Sequence, residues 1–558
     1  MTDIEIAQKN IMAPILTIAK SINLDEQDLD IYGKYKAKIT NKKLRELVSH
    51  SENERGKLIL VTAITPTPAG EGKSTVTVGL GDGLKKIGKK VIIALREPSL
   101  GPCFGVKGGA CGGGHSQIVP MEDINLHFTG DIHAISIANN LIASIIDNHI
   151  QQGNEFAINP KTITWKRCVD LNDRALRNIV IGLGATTDGI TREDHFSISV
   201  ASELMAIICL SKSIHELKNR IDNIVIGKNY KKEFVKFEQF CATGAIAALL
   251  KDALLPNLVQ TLEETPAFVH GGPFANIAHG CNSVNATLAA LNLADYVVTE
   301  AGFAADLGAE KFLDIKCRSA GIAPSAVVIV ATIRALKMHA GLKKDELASE
   351  NVDAVRIGCE NLKVHIENIS KFGVPTIVAL NKFSLDTQDE IAQVMAVCKE
   401  FGAKCVLSEG WENGGDGTIE LSNTLCAVIE NEPANFKPLY DLEDSYVEKI
   451  ETIAKEVYRA KSVDISPLAM RKIQEYTAAG FGDLPICIAK TQNSISHDKN
   501  LIGAPKDFVF PVRDVQLYSG AGFLVVLAGD IMTMPGLPKV PVACSIDIDD
   551  EGCITGLF

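Results

Sequence analysis

The residues best suited to chemistry form one short run: Thr65, Pro66, Thr67, Pro68, Ala69, Gly70, Glu71, Gly72, Lys73, Ser74 and Thr75. It ends as a phosphate-binding loop ends. Glycines there let consecutive backbone N–H groups turn inward, Lys73 can reach a β- or γ-phosphate, and Ser74 or Thr75 offers a hydroxyl to Mg²⁺. It begins differently. Thr67 stands where the standard pattern has its first glycine, with Pro66 and Pro68 on either side. Arg96 closes a later apolar run, and its rigid fork of N–H donors suits a carboxylate or a phosphate. Two aromatics complete the set. Phe383 follows Asn381 and Lys382, and Trp411, one of two tryptophans, lies in the polar, glycine-rich stretch 409–417. A tryptophan there is poorly placed for a core. Two such rings on neighbouring loops can sandwich a flat ligand, each stack worth about 0.5–1.5 kcal/mol beyond its buried area. Asn381, Lys382 and Asp386 also echo a guanine-reading pattern, one too short to carry weight.

These side chains need a scaffold that gathers them. Runs 57–64, 90–95, 178–183, 223–226, 295–299, 325–331, 375–380 and 405–407 are short, apolar and rich in β-branched residues, with segments of helical length between them. Several are apolar throughout, which suits strands buried on both faces of a parallel sheet. The alternation predicts an α/β fold. In such a sheet the ligand crevice lies beyond the carboxyl ends of the strands. The run 65–75, Arg96, Phe383 and Trp411 all follow predicted strands. The expectation is a mostly parallel, P-loop NTPase-like large domain (1–360), a second α/β domain carrying the aromatics (361–436) and a C-terminal domain (437–558). The last boundary is set by 431–440, which holds two prolines. Residues 1–55 read as helices preceding the sheet, 444–461 as an amphipathic helix, and the remainder as β-rich up to a proline-rich loop at 532–541.

Composition narrows the partners. A net charge of −12 argues against an electrostatic grip on nucleic acid or an anionic membrane. The 14 cysteines are scattered without any Cys-x-x-Cys pair, so a zinc ribbon or a thioredoxin-type site is not expected. No basic leader and no apolar run of about 18 residues is present. The expectation is a reduced, cytoplasmic protein acting on small molecules. Between 104 and 115, six of twelve residues are glycine, a density kept where a chain bends sharply or approaches a ligand. Asp123, His127, Asp131 and His133 follow, at spacings that match no zinc pattern.

These motifs together resemble those of the formate–tetrahydrofolate ligase (formyltetrahydrofolate synthetase) family, in its monofunctional form. The run 65–75 is similar to the family's ATP loop, prolines included. The glycine block 106–114, the stretches Val200 to Ala206, His270 to Gly280 and Gly302 to Phe312 are similar to further motifs, and the resemblance covers essentially the whole chain. His115 stands where the family usually has an aromatic. The resemblance implies that Mg-ATP phosphorylates formate, and that tetrahydrofolate attacks the formyl phosphate to give 10-formyltetrahydrofolate, ADP and phosphate. It implies that Lys73 holds the transferring phosphoryl group and that Arg96 holds formate and then formyl phosphate. It implies further that Ser74 or Thr75 ligates Mg²⁺, that Phe303 lies on the nucleotide side, that the pterin lies between Phe383 and Trp411, and that Asp131 sits near the reacting amine. A monovalent cation and a homotetramer are implied as well. Two rivals remain open from the residues alone: a carboxylate- or carbamate-activating ATPase of the dethiobiotin synthetase type, and a slow nucleotide switch. Neither gives a role to both Arg96 and the aromatic pair.

Overall fold

The computed structural model describes residues 1–49, 55–68, 70–106, 111–529 and 531–557. Its centre is a 12-stranded mixed sheet. The strands in chain order are β1 (Leu29–Ile31), β2 (Ala37–Ile39), β3 (Lys57–Ala63), β4 (Val91–Leu95), β5 (Gly112–Gly113), β6 (Ser116–Val119), β7 (Asn257–Thr261), β8 (Pro266–Val269), β9 (Tyr296–Glu300), β10 (Ala326–Ala331), β11 (Thr376–Asn381) and β12 (Lys404–Ser408). They lie in the order β1-β2-β7-β8-β4-β9-β3-β10-β11-β12, with β6 also paired to β7 and β5 to β6. From β8 to β12 every pairing is parallel. The β1/β2/β7/β8 edge and the β5/β6 hairpin are antiparallel.

The parallel part follows from sequence chemistry. Ala-Val-Val-Ile-Val-Ala in β10 is buried along its whole length, as are all residues of β4 and β9. Such strands cannot alternate, because helices cover both faces. Six of the predicted runs become β3, β4, β9, β10, β11 and β12. Two do not join the sheet. The run 178–183 gives Ile179–Ile181, half-exposed and paired only with Arg192–Asp194, and 223–226 gives Val225–Lys228 in a separate ribbon with Phe234–Lys236. The first is too short and open to be a core strand; the second is interrupted by a bulge at Gly227, where φ is +159°. The expectation of helices alone before the sheet is corrected too, since β1 and β2 come from residues 1–55 and build its antiparallel edge. Strands β7 and β8 escape a scan for long apolar runs because polar Asn257, Gln260 and Thr261 interrupt the hairpin.

The stretch 361–436 contributes β11 and β12, which continue the same sheet. Beyond 440, Tyr446–Glu456 and Pro467–Tyr476 are helical, and the strands form a parallel pair, Ser462–Ile465 with Val509–Val512, and a three-stranded set, Ile486–Ala489, Phe523–Leu527 and Asp514–Tyr518. These pack a second core around Tyr446, Tyr458 and Phe510. No helix among the described residues is long and apolar enough to cross a membrane.

Candidate active site at the tips of the parallel strands

Strands β3, β4 and β9 are neighbours and run in one direction, so their carboxyl ends open on one side. There a cleft of about 970 Å³ is lined by Pro66, Thr67, Pro68, Gly72, Lys73, Ser74 and Thr75 from the loop after β3. Arg96 and Glu97 come from the end of β4, Glu300 ends β9, and Gly302 and Phe303 follow it. Trp411 lines the cleft from beyond β12, and Gln492, Asn493 and Lys499 reach it from the C-terminal part.

The loop is held open from behind. Gly72 is left-handed (φ +71°) and precedes the helix Lys73–Lys86. A Cβ there would stand 2.3 Å from Asn381 Nδ2, which itself donates to the Glu71 carbonyl at 3.1 Å. Asn381, first read beside a guanine pattern, is thus a strut for this loop, while Asp386 accepts from the Phe383 N–H. Thr67 explains its departure from the usual glycine: its N–H and hydroxyl both donate to Glu71 Oε1, at 2.8 and 3.0 Å. Thr65 faces away from the cleft. Its carbonyl accepts from His339 Nε2 at 2.8 Å, and its hydroxyl pairs with His365 Nε2 and Asn361. Burial pushes both histidines down, His365 to about 4, so they serve as neutral hydrogen-bonding groups. Ala69 lies outside the described residues, as do 107–110 of the glycine block.

Three groups converge at the helix start. Lys73 Nζ donates to the Phe303 carbonyl at 3.1 Å, and Phe303 itself is left-handed (φ +59°). Ser74 Oγ donates to Glu300 Oε2 at 2.9 Å. Arg96 Nη2 lies 3.9 Å from Glu300 Oε1, and its Nη1 donates to the Pro273 carbonyl. A Cβ on Gly302 would lie 2.6 Å from the Ala275 Cβ and 2.9 Å from Arg96 Nη1, so a side chain at 302 would press on both the 275 segment and the guanidinium. The helix N-terminus, a lysine and an arginine thus face one cavity, an arrangement that attracts anions and stabilises negative charge on a transferring group.

The remaining predicted residues separate. Asp131 is not among the cleft-lining residues; both its oxygens accept from Lys38 Nζ (2.8 and 2.9 Å), and Asn257 donates to it as well. Burial pushes Glu97 well above the usual carboxylate range, Asp131 and Asp170 add to the shift, and Lys38 opposes it. Asp123 is paired with Lys36, and no group of three or more metal-binding side chains occurs among the described residues. Trp411 is nearly half exposed at the cleft. It sits in a short helical turn, Gly410–Asn413, tied to the glycine hairpin: His115 N–H donates to the Trp411 carbonyl at 2.8 Å and Ser116 Oγ to that of Gly410, while Gly114 N–H of the hairpin donates to Asp3. Phe383 does not line the cleft; the Arg334 guanidinium stacks on it 3.6 Å from the ring centre.

The family model for formate–tetrahydrofolate ligase matches residues 1–558, the whole chain. The chain belongs to the formate–tetrahydrofolate ligase family. It is therefore a ligase acting on formate and tetrahydrofolate, with ATP as the family's further substrate. A formate–tetrahydrofolate ligase must activate a carboxylate and then present it to an amine. Lys73 and Arg96 line one end of the cleft beside Glu71, Glu97 and Glu300. Sequence reading missed Glu300, Glu97, His339 and the C-terminal residues that line it. Glu300 had a usable signal, because it ends the strand beside β3. The C-terminal residues had none, since only folding brings 492–499 to this side.

Proposed function

We propose that this ligase uses Mg-ATP to phosphorylate formate and transfers the formyl group from formyl phosphate to N10 of tetrahydrofolate. A formate oxygen attacks the γ-phosphorus and ADP leaves. The N10 amine then attacks the formyl carbon, phosphate leaves carrying that oxygen, and the amine proton is lost. Activation is needed because formate is a poor electrophile with no usable leaving group. The observation that carries the reading is the convergence of Lys73 and Arg96 on one cleft at the start of the helix Lys73–Lys86.

In this reading residues 65–75 form a P-loop holding the ATP phosphates. Lys73 balances charge on the transferring group, and Arg96 grips formate and then formyl phosphate. Oxygen donors suit Mg²⁺, and the Ser74 and Thr75 hydroxyls lie at the right end of the loop to hold it with the nucleotide. Phe303 packs on the nucleotide side. The pterin stacks between Trp411 and Phe383, one face of which already carries the Arg334 guanidinium. Asp131 keeps a positioning role: with Lys38 it sets the charge behind Glu97. The proposal extends to a P-loop domain at 1–360, a folate-side unit at 361–436, a C-terminal domain at 437–558, a cytoplasmic homotetramer and a monovalent cation requirement.

The test is ADP release with Mg-ATP, formate and tetrahydrofolate added one at a time, followed by absorbance of the 5,10-methenyl product after acidification. Release that needs both co-substrates supports the reading. Release that ignores them points to a switch ATPase or a different carboxylate-activating enzyme.

A further inference from the structure

Glu300 has no role in the reading so far, yet its position is unusual. It is the last residue of β9, a central strand hydrogen-bonded to β3 on one side and β4 on the other. It is buried, but it lines the cleft. A buried carboxylate is costly unless charges or hydrogen bonds compensate it. Here Oε2 accepts from Ser74 Oγ at 2.9 Å, and among the described residues the nearest charged nitrogen, Arg96 Nη2, stands 3.9 Å from Oε1, beyond hydrogen-bond reach. An ionised carboxylate has about four acceptor positions. Positions remain for another positive partner on the cleft side.

We propose that Glu300, together with Ser74, holds the Mg²⁺ that accompanies the nucleotide. This rests on the reading of residues 65–75 as the ATP loop. Mg²⁺ prefers oxygen ligands in an octahedron, and it is commonly held by one or two carboxylates plus substrate phosphates and water rather than by an all-protein cage. With bonds of about 2.0–2.1 Å, adjacent ligand oxygens stand roughly 2.9 Å apart. Ser74 Oγ and Glu300 Oε2 are already 2.9 Å apart. The same carboxylate faces Arg96, so the metal-holding group also sets the direction of the formate-binding guanidinium. That places metal, phosphoryl group and formate around one buried side chain.

Glu300→Gln keeps the shape, and its amide oxygen can still accept from Ser74, but it loses the charge. The probe is Mn²⁺ with a non-hydrolysable ATP analogue, followed by electron paramagnetic resonance and by titration calorimetry. The expected result is a Mn²⁺ affinity at least tenfold weaker than wild type, with an altered spectrum. In EDTA the metal-free analogue should bind the variant as tightly as wild type or more tightly, because a negative charge beside the phosphates is gone. Wild-type metal affinity and spectrum in Glu300→Gln would overturn the proposal and leave Glu300 as a positioning residue for Arg96. If Glu300→Gln does not fold, Glu300→Asp replaces it. The charge is kept and the reach shortened, so the Mg²⁺ concentration for half-maximal ADP release should rise at least fivefold; an unchanged value would overturn the proposal. Failure of the wild type to bind the analogue at all, with or without metal, is a separate outcome: it overturns the ATP-loop reading itself and the metal assignment with it.

Discussion

The two ends of the cleft are built in opposite ways. At the end formed by 65–75, Arg96 and Glu300, the groups sit on the tips of buried strands and are fixed before any ligand arrives. Thr67 is tied to Glu71, Asn381 braces Glu71, Ser74 is tied to Glu300, and Gly302 leaves room for Arg96. At the other end Trp411 is nearly half exposed on a single helical turn held by contacts to the glycine hairpin, and Phe383, outside the cleft lining, carries the Arg334 guanidinium. The difference matches two chemical demands. Charge stabilisation works best when donors and cations are pre-aimed, since no reorganisation is then needed during reaction. Stacking on a large flat ring tolerates adjustment, because it depends on area more than on direction.

The contrast can be broken most severely at the charged end. Lys73→Ala or Arg96→Ala should lower kcat at least 10³-fold, about 4 kcal/mol of barrier, with an unchanged circular dichroism spectrum. Near-normal kcat in both would remove the division of labour. Gly302→Ala should be the next largest, lowering kcat by about 10- to 100-fold, because the added methyl meets Ala275 and Arg96 together and about 1 Å of misplacement of a binding group can cost about that much. A normal formate KM and kcat would mean that Arg96 tolerates displacement. Trp411→Ala should raise the tetrahydrofolate KM about tenfold and leave the ATP KM within about twofold. Equal changes in both would deny that the ends act separately.

The smallest effect concerns the far part of the helix that begins at Lys73. Burial raises Asp82 to about 7, although Thr261 and Thr265 both donate to it and lower it. Its folded-state value lies above its unfolded one, so the native state binds this proton more tightly. The stabilisation is present at low pH and is lost as pH rises from about 4 through 7. Thermal unfolding of Asp82→Asn against wild type should show a Tm difference that moves in favour of the variant between pH 5.5 and 8. A constant difference would show that Asp82 does not titrate with folding.

The same contrast explains what could be read in the sequence. The charged end follows from local patterns: apolar runs mark β3, β4 and β9, and Gly72, Lys73, Ser74 and Arg96 stand right after them. Its supporting contacts were not legible. Asn381 reaches Glu71 across 310 positions, and Glu300 meets Ser74 across 226. Pairing of strands distant in sequence creates these contacts, and no local period reports it. The polar hairpin β7/β8 and the N-terminal strands β1 and β2 were hidden for another reason. Strands β1 and β2 are three residues each, β8 is four, and β7 carries Asn257, Gln260 and Thr261, so none offers a long apolar run; pairing with neighbouring strands holds them in place. Trp411 was legible as an aromatic misplaced for a core. That Phe383 lies against Arg334 was not, since nothing in the chain near 383 points to residue 334.

The most direct test of the account follows one oxygen atom. Formate labelled with ¹⁸O on both oxygens is turned over with ATP and tetrahydrofolate, and the phosphate is examined by mass spectrometry. The account predicts one ¹⁸O in each phosphate formed, because formate attacks the γ-phosphorus and its oxygen leaves with it. Unlabelled phosphate would contradict a formyl phosphate intermediate and the role given to Arg96 beside Lys73.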